Sequence, residues 1–423
     1  MLLQFRFKNY RSFRDETVLD MTADGISELN ATLFTFGREK ILPVTAVFGA
    51  NACGKSNLIS AYRVMASIVL NSINWHDDVI EQGSIIIRQT LPEYYPFAFD
   101  QKTKDADIEF EVWFITKYNE RDTIFDYGFK WNQNRITEEW LNKKSKTAAE
   151  YQNVFFREQD KLEFNTKDIP VEDRRFISEA LSRQMLVVSL GSTLKYEILQ
   201  TVYRFFLLSQ VIHPKGDKYI KLPFLFKTDK QVQDAVLKYL QSFDDSIAGF
   251  EIDETIHSYD EARGIKTLHK MMNSDTTAKI PLEEESSGTL RMFTLYQNLT
   301  DALKSGGTLW IDEMNAQLHP LLVRNFMLNF IDPKLNPKQA QLIMTSYDPW
   351  MLENGLLRRD EIWFVEKDNE GVSDLYSLSD FRDEDGRKIR KDESYSKNYL
   401  LGKYGAIPEL DYLIPLPEEN YAA

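Results

Sequence analysis

The chain has 423 residues, of which 43% are hydrophobic and 27% charged, and this ordinary globular composition excludes collagen-like, mucin-like and mainly disordered classes. Its 65 acidic residues outnumber its 51 basic ones, and the resulting net charge of −14 argues against a dedicated nucleic-acid coat protein. The single cysteine excludes an internal disulfide and a multi-cysteine zinc site, and the lack of a signal-peptide pattern or bilayer-length apolar run predicts a soluble, cytoplasmic protein without a membrane partner.

The first predicted elements are strands. Leu3, Phe5 and Phe7 alternate with polar residues, and Val18–Leu19 follow a polar bend, so we expect two strands at the edge of a half-buried sheet. The continuous apolar run Ile41–Phe48 predicts a strand that is buried on both faces, because such strands lack alternation.

A glycine-rich loop follows this buried strand, and it matches G-x-x-x-x-G-K-[ST] in full before a helix predicted over 57–72. Backbone N–H groups of such a loop and the helix N-terminus face phosphates, so the motif predicts a site for ATP and Mg²⁺. Lys55 would reach the β- and γ-phosphates and the Ser56 hydroxyl would bind Mg²⁺. A chance glycine-rich turn is the alternative. The predicted phosphate loop comprises Gly49, Ala50, Asn51, Ala52, Cys53, Gly54, Lys55 and Ser56, with Asn57 after it.

Cys53 lies inside this loop, where its oxidation could block nucleotide binding. The favoured alternative is a small residue that fills a tight bend, because the sequence contains no sign of a lowered thiol pKa.

The predicted secondary structure changes twice in the middle of the chain. Strands are predicted from about residue 83 to 140, including Phe97–Phe99, as an antiparallel meander. Residues 150–245 have mainly helical spacing, for example over Val171–Leu186 and Lys230–Phe243. A short strand pair follows this helical region.

Helices and strands then alternate towards the C-terminus. We predict a helix over Gly288–Ser305, a strand over Thr308–Ile311, a helix over Pro320–Ile331 and a strand over Gln341–Thr345. The sequence therefore predicts an α/β fold with a mixed sheet core, an antiparallel β subdomain and an inserted helical domain. Its predicted units are an N-terminal half at 1–140, a mainly helical insert at 141–280, a C-terminal half at 281–380 and a tail at 381–423.

Two carboxylates end the predicted strand Thr308–Ile311. Asp312 would hold Mg²⁺ through water, and Glu313 would orient or deprotonate the attacking water as the catalytic base, together with Lys55 as the second catalytic residue. The alternative is a solvated helix start, where acidic residues complement the helix dipole.

Ser286, Ser287 and Gly288 stand at the predicted start of a helix, one helix before the acidic pair. Taken alone, this segment is an acidic loop with a capping serine. Because hydroxyl and amide donors at a helix N-terminus can face an anion, the segment is also a candidate phosphate contact.

Together these motifs resemble those of ABC-type ATPases. Phe7–Phe13 and Gly49–Leu58 resemble the opening strand and phosphate loop of the RecF and SMC group. Asp312–Glu313 with Leu318–Pro320, and the tail Tyr399–Pro408, resemble bacterial defence ATPases of the RloA, abortive-infection and OLD-like group. The resemblance covers both ends of the chain well and the middle weakly, and it implies an ABC-ATPase head.

The resemblance implies further residue roles. Asn9 and Arg11 would lie near the base or ribose of the nucleotide. Ser286 and Gly288 would act on the γ-phosphate bound by a second copy, so hydrolysis would require a face-to-face dimer or a higher homo-oligomer. His319 would either cross the dimer seam or only mark a helix boundary.

The sequence departs from the family pattern after Gln341–Thr345. The family places a switch histidine where this chain has Tyr347, which can donate a hydrogen bond but cannot carry a positive charge near neutral pH. This difference predicts slow hydrolysis or an ATP-sensing switch. For the Q-loop glutamine of the family, Gln89 is only a weak candidate.

Two functions remain open from the sequence, besides a nucleotide-binding scaffold without turnover, which Tyr347 keeps open. The first is a defence ATPase that senses infection, with a phage-encoded trigger, and controls a separate effector of the Toprim-nuclease type. This expectation follows from the C-terminal resemblance and from a tail that is too short for a Toprim domain. The second is a DNA-repair or chromosome-maintenance ATPase that clamps DNA. Arg358–Arg359 and Arg387–Lys391 could touch nucleic acid, but their acidic neighbours favour a solvated ion-pair face.

Overall fold

The structure is a computed structural model of the chain, and it describes residues 1–75, 80–82, 85–87, 94–213, 222–253, 262–353, 355–383 and 386–408. Gln89, the weak Q-loop candidate, lies outside these residues. Across the described residues, every helix is too short or too polar to cross a membrane.

The strands belong to five sheets. They are β1 (Leu2–Lys8), β2 (Thr17–Asp20), β3 (Phe34–Phe36), β4 (Glu39–Ile41), β5 (Val44–Phe48), β6 (Ile80–Gln82), β7 (Ile85–Ile87), β8 (Ile108–Tyr118), β9 (Arg121–Trp131), β10 (Ile136–Ser145), β11 (Gln152–Glu158), β12 (Lys161–Phe164), β13 (Gln210–Ile212), β14 (Ile247–Ile252), β15 (Ile265–Lys270), β16 (Thr277–Pro281), β17 (Thr308–Ile311), β18 (Gln341–Thr345), β19 (Ile362–Lys367) and β20 (Ser373–Ser377).

The α-helices vary in length from 6 to 19 residues. They are α1 (Lys55–Asn71), α2 (Val171–Ala180), α3 (Val187–Thr193), α4 (Glu197–Leu207), α5 (Lys230–Gln241), α6 (Ser287–Ser305), α7 (Pro320–Ile331) and α8 (Tyr395–Leu400).

A six-stranded sheet in the order β13-β17-β18-β5-β19-β20 forms the centre of the molecule. Neighbouring strands from β13 to β19 are parallel, and only β20 runs antiparallel, against β19. Every residue of β5, β17 and β18 is buried, as expected for parallel strands covered on both faces. Because parallel strands end at the same edge of a sheet, the segments after β13, β17, β18 and β5 are brought to one edge.

A seven-stranded antiparallel sheet packs against one side of this centre, in the order β12-β11-β10-β9-β8-β1-β2. Its buried face shares a hydrophobic core with α1, α3 and α4, in which Trp310 of β17 stacks on Tyr62 of α1 at 4.1 Å. The opposite face of the six-stranded sheet packs with α5, α6, α7 and α8 in a second core. A three-stranded sheet (β14-β15-β16) and the hairpins β3-β4 and β6-β7 complete the fold.

The α/β class, the mixed sheet core and the antiparallel β subdomain are confirmed. The middle of the chain contains more β-structure than expected, because β11 and β12 extend the seven-stranded sheet through pairing with β10. The predicted boundary at residue 140 therefore falls inside β10. The predicted helix Val171–Leu186 ends at Ala180.

The predicted strand Phe97–Phe99 was wrong. This segment is held by side chains rather than by a strand ladder: the Phe97 N–H donates to Asn9 Oδ1 (3.0 Å), and the Thr103 hydroxyl donates to the Phe97 carbonyl (3.0 Å). The contact with Asn9 joins residues far apart in sequence and leaves no local pattern.

Gln341 links the two large sheets. Its side chain is fully buried; Oε1 accepts from the Leu2 N–H (2.6 Å), and Nε2 donates to the carbonyls of Leu2 (3.0 Å) and Leu42 (3.1 Å). Buried backbone groups without partners are costly, and this one amide satisfies both the N–H and the carbonyl of Leu2 at the start of β1.

We expect Gln341→Met to lower the free energy of unfolding by about 2–4 kcal/mol, because similar volume is kept while buried backbone groups lose their partners. Urea denaturation followed by circular dichroism measures this change. The matched control is Gln152→Met, at an exposed position on β11, where the change should stay within about 0.5 kcal/mol. Equal stability of both variants would contradict the assigned role of Gln341.

Candidate functional site

The predicted phosphate loop lies between β5 and α1, as the motif requires. Gly49, Ala52 and Gly54 have φ values of 154°, 63° and 124°, so the loop turns through left-handed conformations that favour glycine. A Cβ atom on Gly54 would lie 2.5 Å from Ser373 Oγ, and one on Gly49 would lie 2.4 Å from the Val365 carbonyl oxygen. Both glycines are therefore required by conformation and by space.

Lys55 is buried at the first position of α1. Its Nζ donates to the carbonyl oxygens of Gly49 and Ala50, both at 2.7 Å. The ammonium group is thus enclosed by the loop that the motif assigns to phosphates. Cys53 is also buried, with its Sγ 3.9 Å from Lys55 Nζ, which agrees with a small residue filling the bend.

A small cluster of polar side chains contacts the phosphate loop and holds it in position. The Ser373 hydroxyl contacts Ser12 Oγ (2.8 Å) and the carbonyl oxygen of Cys53 (2.5 Å). Asn57 donates from Nδ2 to Ser12 Oγ (2.8 Å). These bonds join β20, the β1–β2 turn and α1, and so position the loop from three separate parts of the chain.

The two residues predicted near a nucleotide base differ in their surroundings. Asn9 is buried, with Nδ2 donating to three carbonyls in 103–107 and Oδ1 accepting from Phe97. Both polar atoms of its side chain thus hold the neighbouring loop, and its position near the base or ribose of a nucleotide stays a prediction. Arg11 lies against the Tyr95 ring at 4.9 Å and reaches Asn57 Oδ1 at 3.4 Å, so it stays beside the start of α1.

The acidic pair stands at the end of β17, and Thr345 at the end of β18 holds it. The Thr345 hydroxyl donates to Asp312 Oδ1 (2.7 Å) and accepts from the Glu313 N–H (2.8 Å). Asp312 is fully buried, and its Oδ2 accepts no hydrogen bond among the described residues. Glu313 has φ 50°, a left-handed conformation that costs a non-glycine residue about 1–2 kcal/mol, and the bond to Thr345 stabilises it.

Ser286 and Ser287 are exposed at the N-terminus of α6. Ser286 is the N-cap, accepting from the Thr289 N–H at 3.1 Å. A Cβ atom on Gly288 would lie 3.2 Å from the carbonyl oxygen of Gln317. The structure therefore brings this loop against the segment that follows the acidic pair.

His319 and Tyr347 both lie on the surface. The His319 Nδ1 accepts from the Leu321 N–H (3.2 Å) and caps α7, which accounts for the residue as a helix boundary, while a contact across a dimer seam stays a prediction. Tyr347 is 50% exposed and follows β18.

The C-terminal tail packs against β5 and β19, next to the phosphate loop. The Tyr399 ring stacks on Phe364 with centroids 5.5 Å apart and lies 6.4 Å from Phe48 at the end of β5. Burial raises the pKa of Tyr399 to about 12. The tail motif is therefore part of the support of this site.

Two residues near the acidic pair were missed by sequence reasoning. Arg291 lies one turn after Gly288 on α6, and burial lowers the pKa of its guanidinium while the carboxylates of Asp312 and Glu313 act in the opposite direction. Its spacing of three residues from Gly288 could have indicated it. His213 follows β13, with Nε2 3.5 Å from Asp312 Oδ2; the short strand before it was hidden in a region interpreted as helical.

The basic clusters are engaged in ion pairs. Arg358 is fully buried and pairs with Asp360 at 2.7 Å, and Arg359 pairs with Glu28 at 2.6 Å. The expected solvated face at Arg358–Arg359 was therefore wrong, because these side chains join 358–361 to the segment 24–30. The exposed Arg390 pairs with Asp392 at 3.0 Å.

The sequence matches one protein family over residues 44–349, described as "AAA domain, putative AbiEii toxin, Type IV TA system". No curated protein matches the chain. Similar solved structures include an SMC head bound to the C-winged helix domain of ScpA (13% identity, TM-score 0.42, covering 89% of this chain and 97% of that chain). The SMC head domain from Thermotoga maritima is also similar (13% identity, TM-score 0.39, covering 89% and 98%).

We expect Thr345→Val to lower the rate of ATP hydrolysis roughly 10- to 100-fold, as loss of a residue that orients metal ligands does. The fold should persist because valine matches threonine in shape, and binding of ATP should change less than about threefold. A coupled-enzyme assay and nucleotide titration measure the two effects.

The control for this variant is Thr345→Ser, which keeps the hydroxyl. It should recover most of the lost rate. A Thr345→Val protein that hydrolyses ATP as fast as the wild type would contradict the role assigned to the hydroxyl.

Proposed function

The chain belongs to the family of AAA domains described as putative AbiEii toxins of type IV TA systems, and on that premise we propose that it binds ATP with a divalent cation and hydrolyses it slowly. The proposal rests on one observation: the phosphate loop and the acidic pair lie at the same edge of the six-stranded sheet. The phosphate loop after β5 and the acidic pair after β17 flank β18, whose Thr345 holds both acidic residues. An ATPase needs phosphate contacts and carboxylates in this relation.

The residues at this edge fit a divalent cation. Asp312 Oδ2 is buried and accepts no hydrogen bond within the described ranges, and such an oxygen requires a partner. Asp312 and the Ser56 hydroxyl would hold Mg²⁺ together with the nucleotide. When bound, Mg²⁺ neutralises phosphate charge and helps orient the nucleotide.

Glu313 is the proposed base. Its backbone is fixed by Thr345 while its side chain remains partly exposed, so the carboxylate can accept a proton from the attacking water. Asp312, by contrast, is buried and fixed through Oδ1. The two carboxylates thus have different tasks because their surroundings differ.

The proposed reaction requires two copies of the chain. Ser286 and Ser287 are exposed at the N-terminus of the 19-residue helix α6, where N–H groups and the helix dipole favour an anion. In the proposed face-to-face homo-oligomer, these serines and Gly288 contact the γ-phosphate held by the other copy. Tyr347 cannot supply a positive charge there, which supports slow turnover.

We place this ATPase in defence against phage, as an ATP-dependent switch that controls a separate effector. The family description, which names a putative toxin of a toxin–antitoxin system, supports that setting. The surplus of acidic residues (net charge −14) and the ion-paired state of Arg358 and Arg359 support a protein partner. DNA clamping on ATP binding is the second candidate, favoured by the N-terminal resemblance alone.

The proposed ATP binding and ATP hydrolysis are tested with two variants. Lys55→Ala should weaken ATP binding more than about tenfold, since a charge-assisted hydrogen bond contributes roughly 1.5–3 kcal/mol. Glu313→Gln should keep binding but lower turnover about 10²- to 10⁴-fold and accumulate an ATP-loaded oligomer, measured by light scattering.

Glu370→Gln is the matched control for these variants, because its side chain is 78% exposed and lies in the β19–β20 turn. It should behave as the wild type. Equal hydrolysis by the wild type and Glu313→Gln would remove Glu313 as the base.

The salt dependence of DNA binding distinguishes the phage-defence function from the DNA-clamping function. A clamp that makes 6–10 phosphate contacts loses about 10³–10⁵ in affinity between roughly 50 and 200 mM salt. We expect weak binding of duplex DNA with ATP and a change below about tenfold over this range, measured by fluorescence anisotropy. Tight binding with a steep salt dependence would favour the DNA clamp instead.

A further inference from the structure

His213 lies at the same sheet edge as the proposed cation site. It is the first residue after β13, and β13 pairs in parallel with β17 so that Ile212 stands opposite Ile311. The Asp312 N–H donates to the Ile212 carbonyl at 2.9 Å. His213 and Asp312 are therefore neighbours on adjacent strand ends, and their relative position is fixed by the strand ladder.

The contact between these two side chains is close without being an effective hydrogen bond. His213 Nε2 is 3.5 Å from Asp312 Oδ2, beyond the usual N–H···O range. Asp312 is fully buried, whereas the His213 side chain is 35% exposed. Two metal–ligand bonds of roughly 2.1 Å each span up to about 4.2 Å, so one cation can bind both atoms.

We propose that His213 is a direct ligand of the divalent cation, together with Asp312 and Ser56, and that the site therefore prefers first-row transition cations such as Mn²⁺ and Co²⁺ over Mg²⁺. This inference rests on the proposed function. Mg²⁺ prefers oxygen ligands in octahedral geometry, while imidazole suits transition metals. A neutral imidazole also adds a ligand without adding negative charge beside the carboxylates of Asp312 and Glu313.

The described residues alone supply too few ligands for a permanent metal centre. Within the described parts of the chain, no group of three or more His, Cys, Asp and Glu residues is placed to hold a metal ion. The remaining ligands must come from the nucleotide phosphates and water. Binding of the cation at His213 therefore depends on bound nucleotide, unlike a structural zinc site.

Pulsed electron paramagnetic resonance of Mn²⁺ with a non-hydrolysable ATP analogue tests the proposal directly. The wild-type complex should show coupling of Mn²⁺ to a directly bound ¹⁴N nucleus, and labelling the protein with [¹⁵N]histidine should change that signal without any substitution. His213→Gln should abolish the coupling. The matched control is His269→Gln, which removes an imidazole held by Glu285 at 2.6 Å and should leave the coupling intact.

Cation affinity gives a second readout. In the nucleotide complex, His213→Gln should raise the dissociation constant for Mn²⁺ roughly 10- to 100-fold and that for Mg²⁺ less than about threefold. A wild-type complex that binds nucleotide and Mn²⁺ without nitrogen coupling would overturn this inference and leave the proposed ATPase standing. Failure of the wild type to bind nucleotide would overturn both.

Discussion

The Thr345 hydroxyl joins two neighbouring strand ends, and the arrangement of the site depends on it. It donates to Asp312 Oδ1 and accepts from the Glu313 N–H, both within 2.8 Å. One carboxylate oxygen of Asp312 is thereby fixed in the interior and the other is directed to the sheet edge. The bond from the Glu313 N–H to the same hydroxyl holds Glu313 in a left-handed conformation, so polar contacts of a few kcal/mol at most determine where both acidic residues lie.

The parallel order of β13, β17, β18 and β5 explains why residues distant in sequence meet at one edge. The three-stranded sheet is connected to the same region through Glu285, which precedes the N-cap of α6. Its Oε1 lies 2.6 Å from His269 Nε2 on β15, and both side chains are largely buried. Glu285 therefore joins the three-stranded sheet to the segment that leads into α6.

Local signals predicted the parts of the structure whose determinants are contiguous in sequence. The phosphate loop, β17, α7 and β18 were predicted because apolar runs, glycines and acidic residues mark them without reference to distant residues. Pairing across long separations was not predictable: His213 acquires its position from the ladder between β13 and β17, and Thr345 from its contact with Asp312. Asn9 resembled a ligand residue by motif, yet its amide holds the loop 97–107. The aromatic residues of β11 could have indicated a strand. They could not have indicated which strand β11 pairs with, and in the structure this is β10.

In the proposed homo-oligomer, the phosphate loop of one copy and the α6 serines of another copy face the same γ-phosphate. Vanadate-dependent photocleavage measures this most directly, because vanadate trapped with ADP takes the place of the γ-phosphate and ultraviolet light then cuts the adjacent backbone. We expect two cuts, one near Ser56 in the phosphate loop and one near Ser286 at the start of α6. Cleavage confined to the phosphate loop would contradict the shared γ-phosphate contact.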